Sequence, residues 1–215
     1  MSKENFFCYL SCDALLTFTM PNSQGQITSE SKTMFTNLKN LYKFVDDTAR
    51  QVREQFPTEV KCRPGCTDCC SAVFDVSYIE AAYLAHCCLE LDDKIKKMIF
   101  SQAGQALKEW QQLFASPDHD PSTARIRCPL LNNEGLCSCY QARPVNCRTY
   151  GVPTIINNSG HVCGLSGFSK GKSYPTINLD PLQQSLYEFS LELGGRESGA
   201  GRWPVAAVLR GATLC

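Results

Sequence analysis

The stretch Cys62-Arg63-Pro64-Gly65-Cys66-Thr67-Asp68-Cys69-Cys70 puts four thiols into nine residues. Cys62, Cys66 and Cys69 stand at i, i+4 and i+7, so a loop or one helical turn can aim all three at one centre. Arg63-Pro64-Gly65 supplies the tight bend. Adjacent side chains point in different directions, so Cys70 is expected to serve a second centre or a polynuclear one. Downstream, Cys128, Cys137, Cys147 and Cys163 are enough for another four-sulfur site. Thiolates are soft ligands that select zinc or iron–sulfur clusters over hard cations. Three sulfurs on one short loop suit either three corners of a [4Fe–4S] cube or three positions of a tetrahedral zinc. The spacing leaves both metals open, along with the pairing of cysteines between the two segments.

The compartment decides how such cysteines are read. The chain of 215 residues carries 14 cysteines, several times ordinary usage, so they need a specific explanation. Its first residues lack the uninterrupted apolar run of a signal peptide, and no window approaches the ~20 apolar residues that span a bilayer. The expectation is a cytoplasmic protein with no membrane partner, whose reduced thiols do metal or redox work rather than form staples. A formal net charge of zero argues against nucleic acid as a partner and leaves a protein partner open. Cys8, Cys12, Cys87, Cys88, Cys139 and Cys215 read as small apolar fillers or incidental thiols. His161, two residues before Cys163, is a weaker candidate ligand; His86 and His119 read as a helix and a loop residue.

Around the cysteines the pattern is mostly helical. Residues 14–20 read as a strand. From Thr28 to Phe56, Phe35, Leu38, Tyr42, Val45, Ala49 and Val52 recur at helical spacing. Residues 72–76 read as extended. Ser77-Tyr-Ile-Glu80 is a capping box that opens a helix, and a further helix runs from Asp92 to Phe114, with Gly104 costing it about 1 kcal/mol. Residues 116–122 form a linker. Segments 126–131 and 136–140 flank Asn132-Asn-Glu-Gly135 and predict a β-hairpin with a four-residue loop. Arg143-Pro144 opens a turn that presents Cys147, and residues 151–179 are loop-rich. Asp180 is expected to cap a helix whose first turn Pro181 suits and which Gly194-Gly195 ends, and a last short helix begins at Trp203-Pro204. The expected architecture is mainly α with a small β-hairpin, a single domain built around a cysteine-ligated metal or iron–sulfur centre. Residues 1–57 supply a strand and long helix, 58–165 the cysteine cluster, and 166–215 a helical extension of the same globule.

Cys62-x3-Cys66-x2-Cys69-Cys70, then Cys128-Pro-Leu, then Cys137-x2-Tyr140-x2-Arg143-Pro144-x2-Cys147-Arg148, then Cys163, together resemble one family. It is the eight-cysteine family described as a zinc- or iron-chelating domain, whose best-known relative is flagellin lysine-N-methylase. The resemblance runs from about residue 60 to 163 and implies that the downstream four cysteines belong with the upstream four. It implies chelation of zinc or iron. The methylase relative looks like an iron–sulfur protein using S-adenosylmethionine, so the alternative expectation is an iron–sulfur enzyme or accessory factor in S-adenosylmethionine-dependent methylation. Enzymatic activity is left open, and no glycine-rich methyl-donor site is evident.

Two look-alikes are set aside. Cys-x3-Cys-x2-Cys is also the radical S-adenosylmethionine motif, but Asp68 stands where an aromatic residue usually precedes the third cysteine, and helices follow where a β/α barrel should. Gly167 to Ser173 imitates a phosphate-binding loop one residue short and without a preceding strand. Tyr140, Arg143 and Arg148 flank presumed ligands and are expected to support the centre, since cations and N–H donors near thiolates tune their charge.

Overall fold

The computed structural model describes residues 29–116 and 120–212. The strand expected at 14–20, with Cys8, Cys12, His119 and Cys215, lies outside the described residues.

The periodic stretch becomes helix α1, Ser29–Gln55. Phe35, Leu38, Tyr42, Val45, Ala49 and Val52 are its buried stripe, each large side chain there contributing about 1.5–3 kcal/mol by leaving water. Its solvent face carries Asp47 bridged to Lys43 and Arg50. Strand β1, Asp75–Ser77, leads into α2, Tyr78–Leu89, which is almost wholly buried. The capping box at Ser77 and Glu80 forms as expected. Helix α3, Asp93–Ala115, starts where Asp92 accepts a hydrogen bond from the Lys94 N–H at 2.8 Å. Gly104 within it faces Arg210 of the last helix, whose guanidinium lies 3.7 Å over the Phe100 ring.

Short elements follow: α4, Val145–Thr149; β2, Thr154–Ile156; β3, Ser159–His161; and β4, Ile177–Asn178. Then come α5, Asp180–Gly199; β5, Arg202–Pro204; and α6, Val205–Ala212. Strand β1 pairs antiparallel with β5 across most of the chain, Val76 opposite Trp203. The second sheet has the order β3-β2-β4. Helix α1 packs on α2, α4 and α5, α2 on α5 and α6, and α3 on α6. The buried apolar side chains form one cluster from Phe35 to Leu209. The chain is mainly α-helical with small sheets, and among the described residues no helix is long and apolar enough to cross a membrane.

Three local expectations are corrected. The turn at Asn132–Gly135 exists, held by Asn132 Oδ1, which accepts from the N–H groups of Glu134 and Leu136 at 3.0 and 2.8 Å. Its flanks make only the Leu131–Cys137 bridge rather than two strands, because Pro129 offers no N–H and Cys128 pairs elsewhere. The regular hairpin is β2–β3, where Asn157 and Asn158 both take positive φ, 48° and 59°, the geometry of a two-residue turn. Asp180 does not cap α5. Asn178 Oδ1 accepts the Asp180 N–H at 3.0 Å, while the Asp180 carboxylate accepts from the Asn157 N–H. Finally, α5 kinks at Gly195, φ 64°, and resumes to Gly199. A Cβ on Gly194 would stand 2.5 Å from the Tyr78 ring, so that position requires glycine.

Candidate metal centre

Backbone pairing brings the two cysteine segments together. Arg63-Pro64-Gly65-Cys66 forms a turn with the Cys66 N–H donating to Arg63 O at 2.9 Å and Gly65 at φ 88°. Proline second and a positive-φ glycine third is the type II arrangement, so the bend read from the sequence is present. Residues Asp68–Cys70 then curl into a 3-10 turn. From there the chain runs antiparallel to the downstream segment. Cys128 N donates to Cys70 O at 2.6 Å, Ile126 N to Ser71 O at 3.0 Å, and Ala72 bridges Arg125. On the other side, Gly167 N donates to Glu59 O at 2.7 Å, docking the Cys163 loop on the residues that follow α1.

Cys147 arrives by a different route. Glu80, fully inside the protein, spends one carboxylate oxygen on the capping box and the other on the Val145 N–H at 2.8 Å. The first turn of α4 is thereby tied to the start of α2. Gly151, at φ 92°, packs so closely on Cys62 that a Cβ there would lie 2.9 Å from the Cys62 Cβ.

The eight thiols fall into an inner and an outer group. Cys69, Cys70, Cys128, Cys137 and Cys147 line a cavity of about 70 Å³, with Arg143 at its wall. Cys62, Cys66 and Cys163 stand outside it; Cys62 interacts with Cys66 and Cys69, and Cys163 with Cys66. The sulfurs of Cys69 and Cys70 are 3.9 Å apart. The expectation that the neighbours point apart is therefore not met, because the 3-10 turn curls their side chains to the same side. That separation is close to the edge of a tetrahedron built on Zn–S bonds of ~2.3 Å, about 3.8 Å.

Burial pushes the thiols toward the protonated form. It raises Cys128 to about 12, and raises Cys62, Cys137 and Cys147, with neighbouring sulfurs adding to the rise in each case. Cys69 is raised by its hydrogen bond with Cys70 and then by burial. Opposing this, the backbone N–H of Leu130 points at Cys128, that of Cys139 at Cys137, and that of Leu165 at Cys163 at 3.4 Å. In each case the donor lies two residues past the cysteine and favours the thiolate. The Arg143 cation lowers Cys69, Cys137 and Cys147 in the same sense.

The three expected supporting residues separate. Arg143 stands at the cavity, its guanidinium 3.6 Å over the Tyr140 ring and Nε donating to Tyr140 O at 3.0 Å. Tyr140 is exposed and meets the cavity through Arg143, by that stacking and that hydrogen bond. Arg148 is buried but turned to α1. It donates to Asp46, Gln141 O and Arg143 O and lies 3.9 Å over the Tyr42 ring. With its donors engaged there, it holds α4 to α1 rather than reaching a sulfur. His161 is exposed on β3, away from the inner group.

Asp68 has a part that sequence reading missed. It accepts from Tyr150 Oη at 2.8 Å and from Cys163 Sγ at 3.4 Å, and faces Arg125 at 3.8 Å. The only local signal was its place inside the cysteine stretch. Tyr150 lies 82 positions away and gave none. The Tyr42 hydroxyl is buried with no hydrogen-bond partner among the described residues, near enough to Glu80 and Cys147 for their charges to raise its pKa further beyond the effect of burial.

Among the described residues, no group of three or more histidine, cysteine, aspartate or glutamate side chains is already drawn up at metal-holding geometry. The donor chemistry nonetheless fits a thiophilic metal: five sulfurs around one small cavity, N–H donors aimed at sulfur, and a cation at the wall. Comparison with family models, with curated proteins and with solved structures finds no match for this chain.

Proposed function

We propose that this protein binds a thiophilic metal, as a zinc ion or an iron–sulfur cluster, through the two cysteine segments. Cys69, Cys70, Cys128, Cys137 and Cys147 supply the inner ligands and Cys62, Cys66 and Cys163 the outer ones. The observation that carries this reading is the convergence of Cys69, Cys70, Cys128, Cys137 and Cys147 from both cysteine segments on the wall of one cavity, with Arg143 beside them. Scattered apolar filler cysteines need no such convergence, whereas the ligands of one thiophilic centre do. Bound metal would supply the positive charge that holds these buried thiols ionised. The chain's part is to hold the sulfurs in place, with Arg143 balancing excess negative charge and Glu80 fixing the α4 segment that carries Cys147.

Binding at a site that the unfolded chain lacks adds directly to folding free energy. Protein purified anaerobically is expected to carry iron with sulfide, or zinc, in stoichiometric amount. Cys128→Ser is expected to lower that content and the melting temperature together. Metal-free protein with an unchanged melting temperature in the variant would overturn the reading.

A second reading, a centre that takes part in catalysis, is favoured by a groove of about 780 Å³ running past Phe74, Tyr150, Val152 and Cys163. Its size is that of a small-molecule site. Iron–sulfur protein that binds S-adenosylmethionine would select this reading; zinc protein that does not bind it would reject it.

A further inference from the structure

Three described cysteines stand outside the eight: Cys87, Cys88 and Cys139. Cys88 lies in the last turn of α2, and Cys139 precedes the short turn Tyr140–Ala142. They are 51 positions apart, both are buried, and their sulfurs stand 3.2 Å from each other. Neither lines the cysteine cavity. An apolar filler needs only van der Waals contact. These two sulfurs are closer than that, and closer than the neighbouring Cys69 and Cys70 at 3.9 Å. A further approach of about 1.1 Å would bring them to the disulfide length of ~2.05 Å. Both sit on segments already packed together, α2 against the Tyr140–Ala142 turn, so the approach requires side-chain adjustment rather than rearrangement of the fold.

We propose that Cys88 and Cys139 are an oxidisable dithiol that closes to a disulfide when a hydroperoxide reaches it, a modification site distinct from the metal ligands. One thiol loses its proton and its sulfur attacks the peroxide oxygen. The O–O bond breaks, the departing hydroxide takes up a proton as water, and a sulfenic acid is left. The other sulfur attacks the sulfenic sulfur, the S–O bond breaks, and the second hydroxide leaves as water with that thiol's proton. Two thiols lose two electrons and two protons, and one peroxide becomes two waters.

The consequence lies in what the bond would tie. Cys139 sits between Cys137 and Cys147, on the segment that the Glu80–Val145 hydrogen bond already fastens to α2. The disulfide adds a second fastening at the other end of that helix. The site itself does not depend on the metal reading.

The test uses the full chain purified anaerobically with whatever metal it holds. Hydrogen peroxide is added stepwise, free thiols are blocked under denaturing conditions, and non-reduced peptides are mapped by mass spectrometry. Metal content and far-ultraviolet circular dichroism are followed in parallel. The expected result is a Cys88–Cys139 cross-linked peptide and the loss of both thiols to alkylation, reversed by dithiothreitol. The cross-link persists in Cys87→Ser and is absent in Cys139→Ser. The proposal is overturned if wild-type Cys88 and Cys139 stay alkylatable at every peroxide dose that preserves the native spectrum. It is equally overturned if Cys87 takes the place of Cys88 in the disulfide. Metal content reports on the metal reading separately, so failure of one is not mistaken for failure of the other.

Discussion

Replacing Glu80 by alanine should damage both the fold and the presentation of Cys147. The Glu80 carboxylate accepts the Ser77 N–H at 3.2 Å, the Ser77 hydroxyl at 2.8 Å and the Val145 N–H at 2.8 Å. Ser77 and Val145 are both buried, so the alanine variant leaves two backbone N–H groups without partners where water does not reach. Each such group costs about 1–3 kcal/mol, which brings the expected loss to about 2–6 kcal/mol against a typical domain stability of about 5–15 kcal/mol. Glu80→Gln separates the contributions. Glutamine also serves in a capping box, but its NH₂ must face one of the two N–H donors, so about half the loss is expected. Urea unfolding followed by circular dichroism measures both variants. Alkylation of Cys147 in the native state, mapped by mass spectrometry, reports on α4, and it should quicken in the alanine variant. An alanine variant within about 0.5 kcal/mol of wild type, the range of ordinary surface substitutions, would refute the account of Glu80 as the tie between α2 and α4.

Two further outcomes are expected. Arg148→Lys keeps the charge but loses the planar fork that joins Asp46, Gln141 O and Arg143 O and stacks on Tyr42. A loss of about 1–3 kcal/mol is expected in the same urea assay, because lysine cannot reproduce several directed bonds at once. The Cys128 thiol, pushed up to about 12 by burial, sets a pH dependence. With its folded pKa above the ordinary thiol value near 9, it stabilises the metal-free protein fully below about pH 9 and ceases to do so as pH rises toward 12. Metal binding must remove that proton. Calorimetry in buffers of different ionisation enthalpy should therefore show proton release on metal uptake and an affinity that rises with pH.

Much of the scaffold was legible from local pattern. The α1 stripe, the capping box at Ser77, the Asp92 start of α3 and the Arg63–Cys66 bend each depend on residues within a few positions of one another, where steric and hydrogen-bonding rules act directly. The β2–β3 hairpin was missed: Asn157-Asn158 suits its turn, but the surrounding glycines, asparagines and serines made the whole of 151–179 read as loop. What else stayed hidden joins distant segments. Asp75 pairs with Pro204, Arg148 turns to Asp46, and Tyr150 meets Asp68. No local spacing carries such information, because these contacts follow from how the helices pack.

The cysteines divide along the same line. Chemistry and spacing marked Cys62, Cys66, Cys69 and Cys70 as one candidate ligand group and Cys128, Cys137, Cys147 and Cys163 as another, and only the family resemblance joined the two. Spacing could not sort them into an inner five and an outer three, nor raise Cys88 and Cys139 above filler. That sorting depends on which cysteines the pairing of residues 70–72 with 125–128 and the Glu80 tie bring to the wall of one cavity. Only the packed chain sets that arrangement.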